Sequence, residues 1–245
     1  MIQKILNVFR NNSRENVLSQ KIKKIHSIIP QDFGGGCSHE KAFLMSLIIS
    51  EFKLDKTVDI GVYKGRSFFP QAIAHQLYSG GVVYGIDPYN SKEAVQNDRP
   101  DLQKELDNFV IMTDFQKLYD DVSEIIITYG YILNSKLIRS TSCDAAMEFK
   151  NAKIKFGLVH IDGNHDTKLV MEDVQNYLSL LAEKSFMVLD DISWNSVQPA
   201  YSLLIKEMLF IDEFVDEFND FALFGKGLTV DEINKLKKTF KKIKV

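Results

Sequence analysis

The sequence predicts an α/β fold: a doubly wound, mostly parallel sheet with helices on both faces and a C-terminal antiparallel hairpin. Short apolar runs typical of buried strands alternate with stretches of helical periodicity. Near the end, the aromatic-rich runs 210–218 and 221–226, joined through Asn219-Asp220, indicate a hairpin. A chain of 245 residues, with 45% apolar and 26% charged residues, fits one large domain with a small appendage.

The N-terminal part predicts a helical extension followed by the main domain. We place the extension at residues 1–33 and the domain at 34–245, with Gly34-Gly35-Gly36 as a flexible break between them. Ser38 is the expected N-cap of the next helix, although Lys41 stands where a capping box would have a glutamate.

Strands and helices then alternate. The predicted strands share short, β-branched or aromatic apolar runs, and they lie at 57–60, 81–87, 136–139, 156–161 and 186–189. The predicted helices share apolar positions at helical spacing, and they begin at Ser67, after Asp114, at Thr167 (ending near Ala182) and near residue 230. Residues 89–113 show neither pattern clearly, so we expect a lid over the site.

Composition excludes several classes of function. The net charge of −3 gives no reason to expect nucleic-acid binding. The two cysteines, Cys37 and Cys143, form no CxxC pair, which argues against a zinc site or a disulfide framework and fits a reducing cytoplasm. No signal peptide and no apolar stretch of membrane-spanning length is found. The basic ends of the chain are interpreted as solvated helix faces, with a membrane-surface or anionic-glycan role as the alternative.

A glycine turn follows the first strand. Gly61 and Gly65 in the stretch Asp59–Ser67 let the backbone turn sharply and approach a ligand, although a tight turn alone would explain them. Asp87 ends the second strand, 26 residues after Gly61, where an acid accepts hydrogen bonds from ribose hydroxyls or merely caps a turn. Together the two features favour an adenosine-containing ligand.

Three aspartates end two other strands. Asp162 follows the 156–161 run, and Asp190 and Asp191 follow the 186–189 run, so parallel strands would bring all three to one rim of the sheet. Carboxylates converge there only if a cation or proton compensates them, and their oxygens suit Mg²⁺ or a similar divalent cation. The alternatives are that Asp162 belongs to a turn and Asp191 caps a helix.

His165 is the candidate base. It lies three residues after Asp162, and a histidine near a metal site can accept a hydroxyl proton at neutral pH. The alternative is a histidine that shapes its loop by bonding a neighbour such as Asp166. Trp194, just past the acid pair, is either a sugar-stacking residue or a packing residue.

The turn D-x-G-x-x-x-G-x-S, the "GIDPY" at 85–89 and the "HIDGNH" at 160–165 together resemble class I S-adenosylmethionine-dependent methyltransferases. More narrowly they resemble the group related to macrolide-sugar and glycan O-methyltransferases, over residues 34–225. The resemblance implies a Rossmann-like, seven-stranded sheet and S-adenosylmethionine as cofactor. One departure is Glu183-Lys184-Ser185, which replaces a Gly-Gly turn of the family.

The resemblance also implies residue roles. Gly61 and Gly65 would face the methionine part of the cofactor, Asp87 would hold the ribose, and residues 141–144 would lie along the adenine. Aspartates spaced like those of this chain hold the metal in metal-dependent O-methyltransferases. The candidate site residues are the following: catalytic His165 and Asp162; cofactor-binding Asp59, Gly61, Gly65, Ser67, Asp87 and Ser142; metal-binding Asp162, Asp190 and Asp191.

The predicted function is therefore O-methylation of a hydroxyl on a sugar, a glycan or a glycosylated metabolite, with S-adenosylmethionine and a divalent cation such as Mg²⁺; the partner is a small-molecule or glycan acceptor. A metal-independent methyltransferase is one alternative. A metal-dependent hydrolase and a non-catalytic cofactor-binding module are alternatives of other classes. The sequence leaves open whether the chain forms a homo-oligomer.

Overall fold

A mixed sheet of seven strands crosses the part of the chain that the computed structural model describes, residues 2–33, 36–217 and 219–244. In chain order the strands are β1 (Lys56–Ile60), β2 (Val82–Ile86), β3 (Ser135–Ile138), β4 (Phe156–Ile161), β5 (Leu181–Asp190), β6 (Leu209–Val215) and β7 (Asp220–Lys226). Their spatial order is β3-β2-β1-β4-β5-β7-β6. The first five are parallel, and β7 pairs antiparallel with both β5 and β6. This confirms the predicted fold class.

The helices cover both faces of the sheet. They are α1 (Ile2–Ile28), α2 (His39–Phe52), α3 (Phe68–Ala74, continued by a π-helical turn at His75–Ser79), α4 (Gln103–Met112), α5 (Phe115–Thr128), α6 (Ser142–Asn151), α7 (Thr167–Leu178), α8 (Gln198–Glu207) and α9 (Val230–Ile243). Buried side chains of α1, α2, α3, α5 and α9 form one apolar layer, and those of α6, α7 and α8 form the layer on the opposite face. The central strands β1, β2 and β4 and the second half of β5 are thus buried on both faces, as their continuous apolar runs predict.

The N-terminal helix packs into the core of the main domain. Leu18, Ile22, Ile25 and Ile29 recur at helical spacing, are at most 3% exposed, and belong to the same apolar layer as α2 and α3. The predicted boundary at residue 34, and the glycine break that motivates it, fall on Gly34 and Gly35, which lie outside the described residues.

The start of α2 confirms the predicted cap. The Ser38 hydroxyl accepts a hydrogen bond from the Lys41 backbone N–H at 3.0 Å, and it donates one to the Asn219 carboxamide at 2.5 Å. The second bond fixes the first turn of α2 to the start of β7.

Two predicted boundaries are wrong. The helix expected to reach Ala182 ends at Leu178, and β5 begins at Leu181 rather than 186. The stretch 183–185, expected as a turn, lies inside β5, where the register with β4 jumps: Phe156 pairs with Leu181, and Leu158 pairs with Phe186. The extra residues of β5 form an irregularity in its pairing with β4. The charged side chains Glu183 and Lys184 interrupt the apolar run, so the sequence did not predict this part of the strand.

Three helices escaped the sequence analysis. Helix α4 lies within the stretch 89–113. Helix α6 buries only Ala145, Ala146 and Phe149, which is too small an apolar face for clear periodicity. Helix α8 begins without a side-chain cap. No helix in the described ranges is long and apolar enough to span a membrane.

Candidate functional site

A cavity of about 600 Å³ lies at the carboxyl ends of the five parallel strands, β1 to β5. Most of the sequence-predicted site residues line it: Gly61, Ser67, Asp87, Ser142, Asp162, His165, Asp190 and Asp191. Asp59 and Gly65 lie outside its lining. We divide the cavity into a cofactor half, at the ends of β1, β2 and β3, and an acidic half, at the ends of β4 and β5.

Gly61 forms the contact between the two halves. Its φ of +85° is one that side chains disfavour, and its backbone N–H donates to the Ile86 carbonyl at 2.9 Å. A Cβ at this position would lie 1.9 Å from the carbonyl oxygen of Asp162. A glycine is therefore required where the first turn passes the end of β4.

Gly65 and Asp59, predicted to bind the cofactor, lie behind the cavity wall and make packing and hydrogen-bond contacts there. A Cβ at Gly65 would meet the Phe69 ring at 2.4 Å. The Asp59 carboxylate is fully buried and accepts hydrogen bonds from the Ser67 hydroxyl at 2.7 Å and the Gln71 amide at 3.1 Å. Ser67, predicted as a helix cap, thus bonds Asp59, and its side chain makes no cap hydrogen bond.

Asp87 is satisfied by backbone groups. Its two oxygens accept the N–H groups of Tyr63 at 2.9 Å and of Tyr89 at 2.7 Å, and each keeps a lone pair that can face the cavity. Burial raises the pKa of Asp87, while the two backbone hydrogen bonds oppose that rise. Tyr63 and Tyr89 both have left-handed φ angles (48° and 43°), and such strain concentrates at functional sites.

Ser142 is oriented by helix α7. Its hydroxyl donates to the Asp173 carboxyl, and its carbonyl accepts from the Tyr177 hydroxyl at 3.1 Å. Asp173 also lines the cavity and is 5% exposed. Burial raises its pKa to about 7, and the Ser142 hydrogen bond only partly opposes this. The sequence analysis missed Asp173, which lies on the buried face of a helix.

The acidic half contains a cation from the chain itself. The Lys41 ammonium contacts Asp190 Oδ2 directly and lies 3.4 Å from Asp162 Oδ2. Lys41 is 4% exposed. Burial lowers the pKa of such a lysine, but the charges of Asp190 and Asp162 outweigh burial and hold this pKa well above its usual range. The ammonium is therefore a fixed positive charge between two of the three predicted metal ligands.

His160 joins the two halves beneath the cavity. Its Nδ1 lies 2.5 Å from Asp59 Oδ1, and its Nε2 lies 3.4 Å from Asp190 Oδ1. The ring is fully buried, which alone would lower its pKa, yet the carboxylates of Asp190 and Asp59 raise it to about 10. The sequence analysis took His160 as a core residue. It is buried, but it also belongs to a polar chain that runs from Asp59 to Lys41.

His165 faces the cavity and pairs with Asp191. Its Nε2 lies 2.8 Å from Asp191 Oδ2 and 3.6 Å from Asp162 Oδ1. This buried nitrogen has no aligned hydrogen-bond partner among the described residues. Burial opposes the charged imidazole, but the Asp191 and Asp162 carboxylates raise its pKa to about 10. The alternative in which His165 bonds Asp166 is not observed, because His165 pairs with Asp191. The alternative in which Asp191 caps a helix is not observed either, because its carboxylate faces His165.

The described acidic side chains form two groups with metal-ligand spacing. His160, Asp162 and Asp190 form one; Asp162, His165 and Asp191 form the other. The predicted set, three aspartates around one ion, is split between them. Lys41 contacts both carboxylates of the first group. The second group faces the cavity and offers two carboxylates and an imidazole.

The segment 89–113, predicted as a lid, contributes to the cavity lining and is tied to the loop that carries His165. Asp166 accepts the backbone N–H groups of Asn97 at 2.7 Å and Asp98 at 2.9 Å. Arg99 of the same segment lies over the Trp194 ring, with its guanidinium carbon 3.9 Å from the ring centroid. Trp194 in turn lies 5.1 Å from the His165 ring. Trp194 thus packs between the lid and the candidate base.

Comparison with known proteins identifies a matching family and solved structures with a similar fold. The family described as a methyltransferase domain matches residues 58–192. No curated protein matches the chain. Among solved structures, an O-methyltransferase from Bacillus cereus in complex with SAH is similar, with a TM-score of 0.58, 14% identity, and coverage of 85% of this chain and 90% of that one.

Two further structures share the fold. The O-methyltransferase TomG from Streptomyces achromogenes, involved in tomaymycin synthesis and in complex with SAM, has a TM-score of 0.58 and 13% identity, with coverage of 85% of this chain and 88% of that one. The SAH-bound methyltransferase PaMTH1 from Podospora anserina has a TM-score of 0.57 and 13% identity, with coverage of 91% and 96%.

Proposed function

Because the chain belongs to the methyltransferase domain family, we propose that it transfers the methyl group of S-adenosylmethionine to a hydroxyl oxygen of a small acceptor. One observation carries this proposal: Asp87, on the cofactor half, and His165, whose buried Nε2 has no aligned hydrogen-bond partner among the described residues, line the same cavity. The solved structures with bound SAM or SAH support the choice of cofactor.

The chain's own residues fit an adenosine-containing cofactor. Asp87 keeps free lone pairs for the ribose hydroxyls, and the Gly61 turn brings the backbone to the same wall. Ser142, held by Asp173 and Tyr177, lies where the resemblance places the adenine. When bound, S-adenosylmethionine supplies an electrophilic methyl group.

His165 is the proposed base, with Asp191 as its partner. A hydroxyl next to Nε2 would give the misaligned nitrogen a hydrogen-bond partner, and the imidazole would take the proton as the oxygen attacks. Asp191 stabilises the imidazolium that results, and Asp162 contributes from 3.6 Å. Because the imidazole pKa is about 10, the fraction able to accept a proton grows as pH rises towards that value.

We propose a sugar hydroxyl, on a glycan or a glycosylated metabolite, as the acceptor. The sequence resemblance favours this class, and an aromatic wall made by Phe33, Tyr63 and Phe109 supports it, since aromatic rings pack well against sugar faces. The Trp194 face nearest the lid is covered by Arg99. We therefore assign sugar contact to the aromatic wall and not to Trp194. A cytoplasmic setting belongs to the same proposal, because Cys37 and Cys143 are free.

A divalent cation at Asp162, His165 and Asp191 is the second candidate for the acidic half. The observation in its favour is that these three side chains place ligand atoms within 4.8 Å of one another. Such a cation would take His165 as a ligand and so remove it as the base. The three-aspartate site for Mg²⁺ does not fit as predicted, because the Lys41 ammonium lies against two of its members.

The cofactor is tested by thermal unfolding with S-adenosylhomocysteine. A ligand at ~100 times its Kd stabilises the folded state by about 2.7 kcal/mol. Asp87→Ala should abolish the shift. A wild-type protein that shows no shift at millimolar ligand would contradict the methyltransferase proposal.

The base and the acceptor are tested by methyl transfer to a panel of sugars, catechols and amines. With the best acceptor, turnover should rise about tenfold per pH unit between roughly pH 7 and 9, because the base form of His165 rises in that proportion. His165→Gln should lose most of the turnover and the dependence of turnover on pH, while still binding S-adenosylhomocysteine. The control His39→Gln, outside the cavity, should keep the wild-type turnover and its dependence on pH. Transfer only to amines would rule out the hydroxyl acceptor.

A further inference from the structure

We propose that the Lys41 ammonium is the resident cation of the acidic half, and that it takes the place of a divalent metal ion there. The aspartates then need no added cation, and methyl transfer proceeds in the presence of a chelator. Only this last consequence rests on the proposed function. The statement about cation binding stands on the described side chains alone.

The position of Lys41 breaks a local rule of helix structure. It is the third residue of α2, after the N-cap Ser38. The N-terminal end of a helix carries a partial positive charge, so acidic side chains stabilise this turn and a lysine destabilises it. A capping box would also place a glutamate here. A lysine at such a position is explained when carboxylates elsewhere hold it.

The structure provides those carboxylates and fixes the lysine against them. Asp190 Oδ2 contacts the ammonium, and Asp190 Oδ1 faces His160 Nε2 at 3.4 Å, so both Asp190 oxygens are directed at groups of the chain. The Ser38–Asn219 bond ties the first turn of α2 to the strand beside β5. The ammonium is thus positioned by the fold and not only by its flexible side chain.

Lys41 and a divalent cation would compete for the same carboxylates. Asp162 belongs to both candidate metal groups, and its Oδ2 lies 3.4 Å from the ammonium. A fixed positive charge at that distance repels a second cation strongly in a partly desolvated site. Lys41 therefore disfavours an ion at either group. Lys41 also fixes the Asp162 carboxylate, whose other oxygen faces His165. Lys41 is therefore a positioning residue.

The test is Mn²⁺ binding, followed by electron paramagnetic resonance of the free ion. Wild-type protein should bind Mn²⁺ weakly, with no site tighter than millimolar. Lys41→Met, which keeps the length of the side chain and removes its charge, should bind Mn²⁺ about tenfold more tightly or better. The matched control is Lys117→Met, which removes an exposed lysine paired with Asp121 on α5 and should behave as wild type.

A thermal readout accompanies the titration. Mg²⁺ at a few millimolar should raise the melting temperature of Lys41→Met and leave wild type and Lys117→Met unchanged. A purely structural lysine would lower the melting temperature without creating a metal response. Stoichiometric Mn²⁺ binding by wild type, or a Lys41→Met variant that binds no better than wild type, would overturn the proposal.

The wild-type titration decides the matter even if Lys41→Met does not fold: one tight Mn²⁺ site overturns the proposal, and weak binding supports it. Failure of the proposed function is distinguishable, because it would appear as no thermal shift with S-adenosylhomocysteine whatever the Mn²⁺ result. Once an acceptor is found, wild-type turnover should be unchanged in excess EDTA. Loss of turnover in EDTA, restored by Mg²⁺, would also overturn the proposal.

Discussion

The two halves of the cavity hold their carboxylates in different ways. In the cofactor half, Asp87 accepts the backbone N–H groups of Tyr63 and Tyr89, the latter only two residues along the chain. In the acidic half, Asp190 is compensated by Lys41, which lies 149 residues away in sequence. Asp87 is stabilised by backbone groups of the adjoining turns, whereas Asp190 depends on α2, a helix that is distant from it in sequence.

The two halves should therefore be sensitive to different kinds of substitution. A site held by backbone groups fails when the turn is distorted. A site held by a buried ion pair fails when one partner is removed, because the other charge is left in a dry environment. The predictions below test this distinction in order of decreasing effect.

Lys41→Met should produce the largest loss of stability. Breaking a buried pair by removing one partner costs about 3–5 kcal/mol, because Asp190 loses its cation. Chemical denaturation should show the loss with an unchanged m-value. Lys117→Met, which removes one partner of an exposed pair, should leave the midpoint unchanged.

Asp190→Asn added to Lys41→Met should recover part of that loss, because the uncompensated carboxylate is then gone. If the double variant is no more stable than Lys41→Met, the loss comes from packing of the lysine stem and not from charge, and the contrast between the halves would be weakened.

Gly61→Ala should give the next largest loss of stability, and it should perturb both halves of the cavity. The new methyl would lie 1.9 Å from the Asp162 carbonyl, and the φ of +85° adds backbone strain. We expect a loss of about 2–4 kcal/mol and no measurable binding of S-adenosylhomocysteine. The matched control is Gly80→Ala, where φ is +71° and nothing lies within 4 Å of the new atom.

Gly80→Ala should cost only the strain, about 1–2 kcal/mol, and retain the cofactor product. Calorimetric titration and denaturation of both variants measure the difference, which isolates the contact with Asp162. Equal losses in the two variants would show that the turn tolerates movement away from β4.

Asp87→Asn should have a smaller effect that is confined to the cofactor half. The amide replaces one acceptor oxygen by a donor that faces a backbone N–H. We expect about 1–3 kcal/mol less stability and roughly tenfold weaker binding of S-adenosylhomocysteine. Mn²⁺ binding should match that of wild type, and a change there would mean that the halves are coupled more tightly than the His160 contacts indicate.

The same contrast explains what the sequence could and could not predict. The sheet and its C-terminal hairpin follow from local patterns, and the methyltransferase family follows from the resemblance carried by three short motifs; all three predictions are confirmed. The narrower sugar and glycan group stays a prediction. Asp87 lies in the cavity, as its place at a strand end predicts. Lys41 was visible only as a broken capping box, since its partners are 121 and 149 residues away. No sequence pattern singles out Asp173. The sequence also does not show that Asp59 and Gly65 lie outside the cavity lining, because that depends on which side of the turn faces the cavity.

The last test concerns Asp173, a buried carboxyl that forms no ion pair among the described residues, and its effect is a change of stability with pH. Asp173 and Asp190 are similarly buried, at 5% and 6% exposed. Within the described ranges Asp173 accepts a hydrogen bond from the Ser142 hydroxyl and forms no ion pair, whereas Asp190 contacts the Lys41 ammonium. Burial raises the Asp173 pKa from 3.8 to about 7 in the folded state.

Because that folded-state pKa lies above the unfolded value, the contribution of Asp173 to stability is complete below about pH 4 and is lost as pH rises through 7. The loss is at most about 1.4 kcal/mol per pH unit. Asp173→Asn should therefore flatten the fall in stability between about pH 4 and pH 7, as measured by denaturation at each pH. An unchanged slope would mean that Asp173 stays ionised without a cation. Burial alone would then not be what makes Asp190 require Lys41.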